Sequence, residues 1–238
     1  MAKTDEKMIV DGKRIDGRDL EDTRPITMKL GVVSRATGSA IVQFGNTQAI
    51  ASVHGPRELF PRWMQESNTG ILRCRYSMLP FSVDDRKSPG PDRRSTELSK
   101  VIRLALEPVV FLEDFPKATI DVFIEILQAD GSTRVTGINA ASLALAVAGV
   151  PMKDLISACS VGKIDGKLIV DLNGKEDNNS EIDLAFAMMG TKKKVTLLQM
   201  DGIVTRSELL KLIKLAEQTC EKVYATQKKA LKGKYKRV

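Results

Sequence analysis

The stretch DLNGKEDNNSEID, residues 171–183, is rich in carboxylates and leads directly into an apolar run. Asp177 and Asp183 are separated by a short polar segment that could turn and place them side by side. Neighbouring carboxylates can bind Mg²⁺ or Mn²⁺, or raise one another's pKa until one acts as a general acid near neutral pH. The alternative is an acidic loop that leads into a strand and does no chemistry. The acids of the stretch are Asp171, Glu176, Asp177, Glu181 and Asp183.

A second candidate is an anion site where a predicted strand gives way to a predicted helix, at Gly131, Ser132, Thr133 and Arg134. The first amides of a helix lack internal acceptors, and the helix dipole there favours a negative charge. Glycine permits close approach of the backbone, hydroxyls can donate hydrogen bonds, and arginine adds a charged planar fork. A phosphate or a carboxylate would fit, although the spacing of a Walker loop is absent. On residue types alone, a capped helix start with Arg134 in solvent is the simpler interpretation.

Arg93 and Arg94 form a third candidate, because they lie just ahead of a helix predicted to begin near Ser95. Two guanidinium groups beside the positive end of a helix suit phosphate groups. Upstream arginines, Arg62 among them, alternate with aromatic residues such as Trp63, a composition typical of surfaces that bind single-stranded nucleic acid. Acidic residues dilute this patch, so a solvated loop with Trp63 partly buried is an equal alternative.

The elements that must position these residues alternate between strand and helix. GSAIVQF and TQAIASV are typical of a hairpin that turns at Gly45-Asn46, and the segment 118–130 is typical of a strand. The small residues after Arg134 indicate a tightly packed helix that ends at Gly149. A second hairpin, two further strands and a final amphipathic helix from Thr205 complete an α/β (α+β) layout in two halves.

Composition narrows the classes of function. Hydrophobic residues make up 42% and charged residues 28%, as in ordinary globular proteins. Neither a signal peptide nor an apolar stretch long enough to span a bilayer is visible, so a cytoplasmic protein is expected. A single histidine, His54, and three dispersed cysteines argue against acyl-enzyme chemistry and a disulfide framework. Inorganic phosphate, a nucleophile that needs no activating base, suits this inventory.

Five longer motifs, taken together and in order, resemble the RNase PH family. They are RIDGRDLEDTRPI, GSAIVQFGNTQAIASVHGPRE, SMLPFSVDDRKSPGPDRRSTELSKVIRLALEP, ADGSTRVTGINAASLALAVAGVPMKDLI and DLNGKEDNNSEIDLAFAMM. The resemblance extends from about Ile15 to the final helix, and it is strongest to the catalytic RNase PH-like subunits of the archaeal exosome. It implies mixed sheets with packed helices. It also implies phosphorolytic 3′→5′ degradation of RNA, in which phosphate releases nucleoside diphosphates and the reverse reaction adds 3′ tails.

The resemblance also implies roles for individual residues. Inorganic phosphate, the co-substrate, would bind at Gly131, Ser132, Thr133 and Arg134. Arg93 and Arg94 would contact the RNA backbone near its 3′ end, and Arg62 would face the RNA channel. Asp177 and Asp183 would support the leaving 3′ oxygen, either by holding Mg²⁺ or Mn²⁺ or by donating a proton.

Partners and domain boundaries follow from the same comparison. The family implies a hexameric ring with a paralogous RNase PH-like subunit, RNA-binding cap subunits, a single-stranded RNA 3′ end as substrate, and no membrane. The predicted divisions are an N-terminal extension (1–17), a first half with the RNA and phosphate motifs (18–149), a second half with the carboxylates and final helix (150–225), and a basic tail (226–238). Seven basic residues against one acid between Cys220 and Val238 carry most of the net charge of +7. That charge indicates either a solvated helix end or an attraction for nucleic acid.

Three other interpretations stay open. The chain could be a non-catalytic RNA-binding subunit of the ring, or a free-standing RNase PH that trims tRNA 3′ ends as a homohexamer. It could also be a hydrolase, since two carboxylates can bind metal ions for attack by water. The presence of GSTR, of the arginine pair and of both aspartates favours the enzyme over the scaffold.

Overall fold

The computed structural model of the protein describes residues 7–10, 12–84 and 87–235. The strands are β1 (Ile9–Val10), β2 (Lys13–Arg14), β3 (Ile26–Leu30), β4 (Gly38–Phe44), β5 (Thr47–Glu58), β6 (Ile71–Met78), β7 (Ala118–Gln128), β8 (Ile156–Ile164), β9 (Lys167–Val170), β10 (Ile182–Met189) and β11 (Val195–Gly202). The α-helices are α1 (Arg93–Leu106), α2 (Thr133–Val147), α3 (Gly174–Asn179) and α4 (Arg206–Tyr235).

The first sheet has five strands in the order β3-β4-β5-β7-β6. The predicted hairpin is confirmed, because β4 pairs antiparallel with β5 and Phe44 lies opposite Thr47 across the turn. Only β6 and β7 are parallel within this sheet, and α1 lies in the connection between them. Parallel neighbours need such a long crossover, and here it brings the start of α1 to the site described below.

The second sheet has four antiparallel strands in the order β11-β10-β8-β9. The predicted second hairpin joins β8 to β9 through Asp165 and Gly166, whose φ angles are +48° and +72°. Positive φ at both central residues is the geometry of the type I′ turn, which matches the twist of a hairpin. A short two-stranded sheet of β1 and β2 packs Met8 and Ile9 against Ile164 of this half.

Helix α2 lies between the two sheets and contacts β4, β5 and β8. Its small residues allow close packing: a Cβ at Gly38 of β4 would lie 2.4 Å from the carbonyl oxygen of Ala144. The buried amide of Asn139 donates to the carbonyl of Ala158 (2.8 Å) and accepts from its N–H (3.0 Å). This pair of hydrogen bonds fixes β8, and with it the second sheet, against α2.

Strand β10 is buried on both faces over most of its length. Ile182 and its neighbours pack with α4, while Ala185 and Ala187 belong to the core between the sheets. The physical reason is that β10 is an inner strand, between β8 and β11, with a layer of helix on either side. The first half of the strand borders the cavities described below, through Asp183 and Ala185.

The basic C-terminal segment is helical through Tyr235, so residues 226–235 of the predicted basic tail belong to α4. Gln227 is fully buried there and donates to Asn139 Oδ1 (3.0 Å) and to the carbonyl of Ile156 (2.9 Å). These bonds, with buried Val223, hold the helix beyond the predicted end at 225. Residues 236–238 of the predicted tail, and residues 1–6 and 11 of the predicted extension, lie outside the described part of the chain. No helix in the described ranges is both long and apolar enough to cross a membrane.

Candidate active site

A cavity of about 700 Å³ lies where the starts of α1 and α2 meet α3, β10 and β11. It brings together Arg94, Arg134, Asp177 and Asp183, although the two arginines and the aspartates lie far apart in the sequence. The residues that line it are Arg94, Glu97, Leu98, Arg134, Asp177, Asn178, Ser180, Glu181, Asp183, Gln199, Met200, Asp201 and Gly202. Convergence of these groups on one cavity makes it the candidate active site.

Arg94 reaches the cavity from the first turn of α1. The helix begins at Arg93, two residues earlier than predicted, because Asp92 is its N-cap and forms a capping box with Ser95. The Asp92 carboxylate accepts from the N–H of Ser95 at 2.6 Å, and the Ser95 hydroxyl accepts from the N–H of Asp92 at 2.9 Å. Arg93 is exposed and does not line the cavity, so the predicted pair is divided: Arg94 faces the site and Arg93 does not.

The GSTR segment lies at the start of α2, as the sequence predicts. Ser132 is the N-cap residue in a left-handed conformation (φ +56°), so Thr133 and Arg134 open the helix. Ser132, Thr133 and Arg134 line a small cavity of about 30 Å³ together with Arg94, Asp177 and Asp183. Within the described structure, Nε of Arg134 is buried without a hydrogen-bond partner. A buried charged donor of this kind calls for an acceptor, and a bound anion would supply one.

Gly131 has a packing role and is not a wall of the cavity. Its φ is +70°, and a Cβ at this position would lie 2.6 Å from the backbone carbon of Asn173. The Ser132 hydroxyl donates to the carbonyl of Leu172 (2.8 Å) and lies 2.6 Å from the Ser160 hydroxyl. The GSTR loop therefore rests directly on the segment that precedes Asp177.

Asp177 lies on α3, a helix where the sequence analysis expected only a turn. Asn173 caps this helix and shares a capping box with Glu176. Burial raises the pKa of Asp177, and the guanidinium groups of Arg94 and Arg134 offset part of that rise. The three side chains are thus close enough for their charges to interact strongly.

Asp183, at the leading end of β10, has the more perturbed carboxyl group of the two. Burial, and after it the negative charge of Asp177, raise the pKa of Asp183 to about 6, while Arg134 acts in the opposite direction. A carboxyl group that titrates near neutral pH can donate or accept a proton under physiological conditions. The hypothesis that neighbouring carboxylates raise one another's pKa agrees with this arrangement.

The five acids of the 171–183 stretch separate into two groups. Asp171 and Glu176 are buried in ion pairs with Arg24 and Arg14. Glu181 is exposed and pairs with Lys163 (3.2 Å). Glu181 also lines the large cavity, but only Asp177 and Asp183 of the stretch line the small cavity beside Arg94 and Arg134.

Two polar cavity residues, Asp201 and Gln199, escaped the sequence analysis. Asp201 lies on β11 directly opposite Asp183, and its charge contributes to the raised pKa of Asp183. Gln199, two residues earlier, donates to Glu97 of α1 at 3.3 Å. The sequence signal for Asp201 was its place on the strand after β10, but only the pairing register shows which residue faces Asp183.

Arg62 lies apart from the cavity, in a short 3₁₀ turn (Arg62–Met64). Its side chain is 77% exposed and lies 3.5 Å from Glu58. Trp63 is 83% exposed, so the expectation of a partly buried tryptophan is wrong. The contact of Arg62 with an RNA channel stays a prediction.

Asp177 and Asp183 are the candidate ligands for a divalent cation. Within the described ranges, no group of three or more histidine, cysteine, aspartate or glutamate side chains is arranged to hold a metal ion. Asp177 and Asp183 nevertheless line the same cavity, and the charge of Asp177 acts on Asp183. Mg²⁺ typically uses one or two carboxylates, keeps several water ligands and takes the rest from substrate phosphates, so this pair fits such an ion.

Comparison with known proteins places the chain in a family. The model of the 3′ exoribonuclease family, domain 1, matches residues 22–151, and the model of domain 2 matches residues 154–219. The chain belongs to the RNase PH family. Among curated relatives, the exosome complex component Rrp41 of Pyrococcus furiosus is 53% identical over 240 residues, which cover 100% of this chain and 96% of the relative. Rrp41 of Thermococcus kodakarensis is 56% identical over 227 residues, which cover 95% and 91%.

Solved structures agree with this RNase PH assignment at the level of the fold. A chain in the Archaeoglobus fulgidus exosome with RNA bound to the active site has a TM-score of 0.79 and 22% identity, covering 95% of this chain and 94% of that one. Rice Rrp46 has a TM-score of 0.82 and 22% identity, covering 92% of this chain and 100% of that one. The predicted RNase PH-like fold, with mixed sheets and packed helices in two halves, is confirmed.

Proposed function

We propose that this chain is the phosphorolytic subunit of an exosome ring, which shortens single-stranded RNA from its 3′ end. The observation that carries the proposal is the convergence of Arg94 and Arg134 with Asp177 and Asp183 on one cavity. The names of the relatives, which are exosome components, support membership of such a ring.

The arginine side of the cavity suits the attacking phosphate. Attack by a phosphate dianion on a phosphodiester brings two anions into contact, and this costs free energy unless positive charge is already in place. Arg134 stands at the start of α2 with an unpaired Nε, and Arg94 stands at the start of α1. Both guanidinium groups thus lie where helix dipoles also favour an anion. Phosphate is assigned to the loop from Gly131 to Arg134, with Arg94 on the RNA backbone.

The carboxylate side of the cavity suits the leaving 3′ oxygen. When the phosphodiester breaks, negative charge develops on that oxygen and a proton must be supplied or the charge stabilised. Asp183 can hold such a proton, because burial and, after it, the charge of Asp177 raise its pKa to about 6. We assign Mg²⁺ or Mn²⁺ to the same two carboxylates, where the ion would supply Lewis-acid stabilisation of the leaving group.

The proposed phosphorolysis differs from hydrolysis, because phosphate and not water accepts the nucleotide. The product is then a nucleoside diphosphate, and the free energy change is small enough for the reverse reaction to extend a 3′ end. The family assignment therefore favours phosphorolysis over the hydrolytic alternative of the sequence analysis. A ring subunit without catalysis is not favoured either, since all four charged side chains of the site are present.

The remaining assignments complete the proposal. The substrate is the 3′ end of single-stranded RNA, and the partners are a paralogous RNase PH-like subunit in a hexameric ring and RNA-binding cap subunits. The cellular site is the cytoplasm. The exposed Arg62 and Trp63 would face RNA that enters such a ring.

The deciding experiment uses the full chain, alone and assembled with an RNase PH-like ring partner. Single-stranded RNA labelled at its 5′ end is incubated with and without inorganic phosphate, and the released nucleotides are identified by mass. Nucleoside diphosphates that form only with phosphate support the proposal. Monophosphates formed without phosphate would mean hydrolysis, and bound RNA without release by either preparation would mean a scaffold subunit; both results contradict the proposal.

A further inference from the structure

Two buried arginines from the N-terminal part of the chain connect the GSTR loop with α3. Arg14 is 3% exposed and Arg24 is 5% exposed, and neither lines the candidate active site. Their carboxylate partners, Glu176 (1%) and Asp171 (2%), are buried as well. Buried charges are costly unless they are paired and their remaining donors are satisfied, so such a cluster persists where its geometry is complete.

Arg24 holds two segments with one side chain. Its Nε donates to Asp171 Oδ2 (2.9 Å) and its Nη2 to Asp171 Oδ1 (2.6 Å), a bidentate pair. Its backbone N–H donates to the same carboxylate at 2.7 Å. Its Nη1 donates to the carbonyl of Asp130 (2.5 Å), the residue before Gly131. The guanidinium group thus ties the beginning of the GSTR loop to Asp171.

Arg14 holds the start of α3. Its Nε donates to Glu176 Oε1 (2.7 Å), and its Nη2 contacts the other oxygen of the same carboxylate. Its Nη2 also donates to the carbonyl of Asp171 (2.8 Å). Glu176 Oε2 accepts from the N–H of Asn173 (2.9 Å) and so completes the capping box of the helix. Glu176 immediately precedes Asp177, so the orientation of that catalytic candidate depends on Arg14.

The two segments also touch each other directly. The Asp130 carboxylate accepts from the N–H of Gly174 (2.9 Å), and Ser132 donates to the carbonyl of Leu172 (2.8 Å). Gly131 packs so closely on Asn173 that no side chain fits. Hydrogen bonds and close packing therefore join residues 130–132 to residues 171–176. Arg24 and Arg14 add ion pairs and further hydrogen bonds to this unit.

We propose that Arg24 and Arg14 are positioning residues that fix the distance between the phosphate loop (130–134) and Asp177. This inference rests on the proposed function, because it gives those two segments their roles as phosphate site and carboxylate site. A displacement of about one ångström between reacting groups can lower a rate on the order of 100-fold. The N-terminal motif RIDGRDLEDTRPI, which the proposed function leaves without a role, thereby acquires one.

The test compares Arg24→Met and Arg24→Lys with a matched control, Arg35→Met. Arg35 is an exposed arginine in the turn between β3 and β4 and lines no part of the site. For each protein, thermal unfolding, kcat, the KM for phosphate and the KM for RNA are measured. Binding of inorganic phosphate alone is measured by isothermal titration calorimetry.

We expect Arg24→Met to lower kcat by on the order of 100-fold. We also expect it to raise both the KM and the Kd for phosphate by about tenfold, with the KM for RNA changed less than threefold. Arg24→Lys should recover part of the loss, because it keeps the charge but not the bidentate fork. Arg35→Met should match the wild type. A purely structural role would lower kcat in proportion to the folded fraction and leave the KM for phosphate unchanged, and that result overturns the inference.

The inference and the proposed function can fail separately. If the wild type releases no nucleotide, the proposed function fails, and the calorimetric comparison of phosphate binding alone decides the role of Arg24. If Arg24→Met does not fold, Arg24→Lys and Arg14→Lys decide. Wild-type phosphate affinity in both folded lysine variants contradicts a positioning role.

Discussion

Asp183 and Asp201 face each other across the antiparallel pair of β10 and β11, and both line the candidate active site. Like charges directly opposite on a sheet are destabilising, so this pair opposes the stability of the fold. Burial and the charge of Asp177 raise the pKa of Asp183 most, and the charge of Asp201 adds to that rise. The exposed Asp201, which no motif indicated, thus adjusts the chemistry of its neighbour.

Replacement of Asp201 by asparagine is expected to lower the pKa of Asp183 below its present value of about 6. Removal of the negative charge makes ionisation of Asp183 easier. The measurement is a pH titration of protein with ¹³C-labelled aspartate carboxyl groups, without added metal, in which Asp183→Asn identifies the signal. Asp114→Asn, an exposed acid in a 3₁₀ turn away from the site, is the control. An unchanged titration of Asp183 in Asp201→Asn would show that the two carboxylates do not interact.

Replacement of Asp183 by asparagine is expected to abolish turnover and leave RNA binding intact. Loss of a general acid or of a metal ligand typically lowers a rate by about 10²–10⁴-fold. RNA affinity is measured by fluorescence anisotropy and turnover by release of nucleotides. Glu113→Gln, which removes an exposed acid that does not line the cavity, should behave as the wild type. Full activity in Asp183→Asn would mean that Asp183 has no catalytic role.

The same substitution is expected to stabilise the fold at neutral pH. Because the pKa of Asp183 is raised from 3.8 to about 6, the folded state binds its proton more tightly than the unfolded chain does. That contribution to stability is complete below pH 3.8 and is lost as the pH rises through 6. Asp183→Asn should therefore raise the free energy of unfolding by roughly 1–3 kcal/mol near pH 7.5 and change it little near pH 4. Urea unfolding at both pH values measures this, and an equal effect at the two would contradict the assignment.

The arginine pair provides an internal comparison. Both arginines are exposed on the same helical turn, but only Arg94 lines the cavity, where it offsets part of the rise that burial causes in the pKa of Asp177. When the chain is assayed without a ring partner, Arg94→Ala should lower kcat/KM for RNA by about 100-fold. This loss corresponds to one lost charge-assisted contact of roughly 3 kcal/mol. Arg93→Ala should change it by no more than about threefold. Equal losses in the two variants would mean that Arg93 also reaches RNA.

Arg134 should be irreplaceable by lysine. Its Nε is buried without a partner in the described structure, and a lysine has no donor at that position. We expect Arg134→Lys and Arg134→Ala each to raise the KM for phosphate at least tenfold, since the planar fork is lost in both. Initial rates over a range of phosphate concentrations give this value. Lys100→Ala, which removes an exposed cation from α1, serves as the control. A lysine variant with the wild-type KM would show that charge alone binds phosphate.

The fold and the main site residues were accessible from the sequence wherever the signal is local. The hairpins at Gly45-Asn46 and Asp165-Gly166 depend on the turn residues themselves, and the anion site depends on a strand that ends just before a helix. The predicted start of α1 near Ser95 is too late, because Ser95 is the third helical residue of a capping box closed by Asp92.

What the sequence did not reveal depends on contacts between distant residues. Arg24 and Asp171 are 147 positions apart, and Arg14 and Glu176 are 162 apart, so no window of the chain contains either pair. Asp171 and Glu176 therefore looked equivalent to Asp177 in an acidic stretch, although their partners give them a different role. The same holds for Asp201, which becomes a neighbour of Asp183 only through the strand register.

The packing of Gly131 on Asn173 has a consequence for synthesis on the ribosome. The chain emerges from its N-terminus, so Arg14, Arg24 and the whole GSTR loop are made well before residues 171–176, on which the loop rests. Until then the loop lacks its support, and both arginines lack their carboxylates. A nascent chain that ends before α3 thus lacks the contacts that hold residues 130–132 in place. Under the proposed function, the candidate active site is therefore complete only after residues 171–183 have been made.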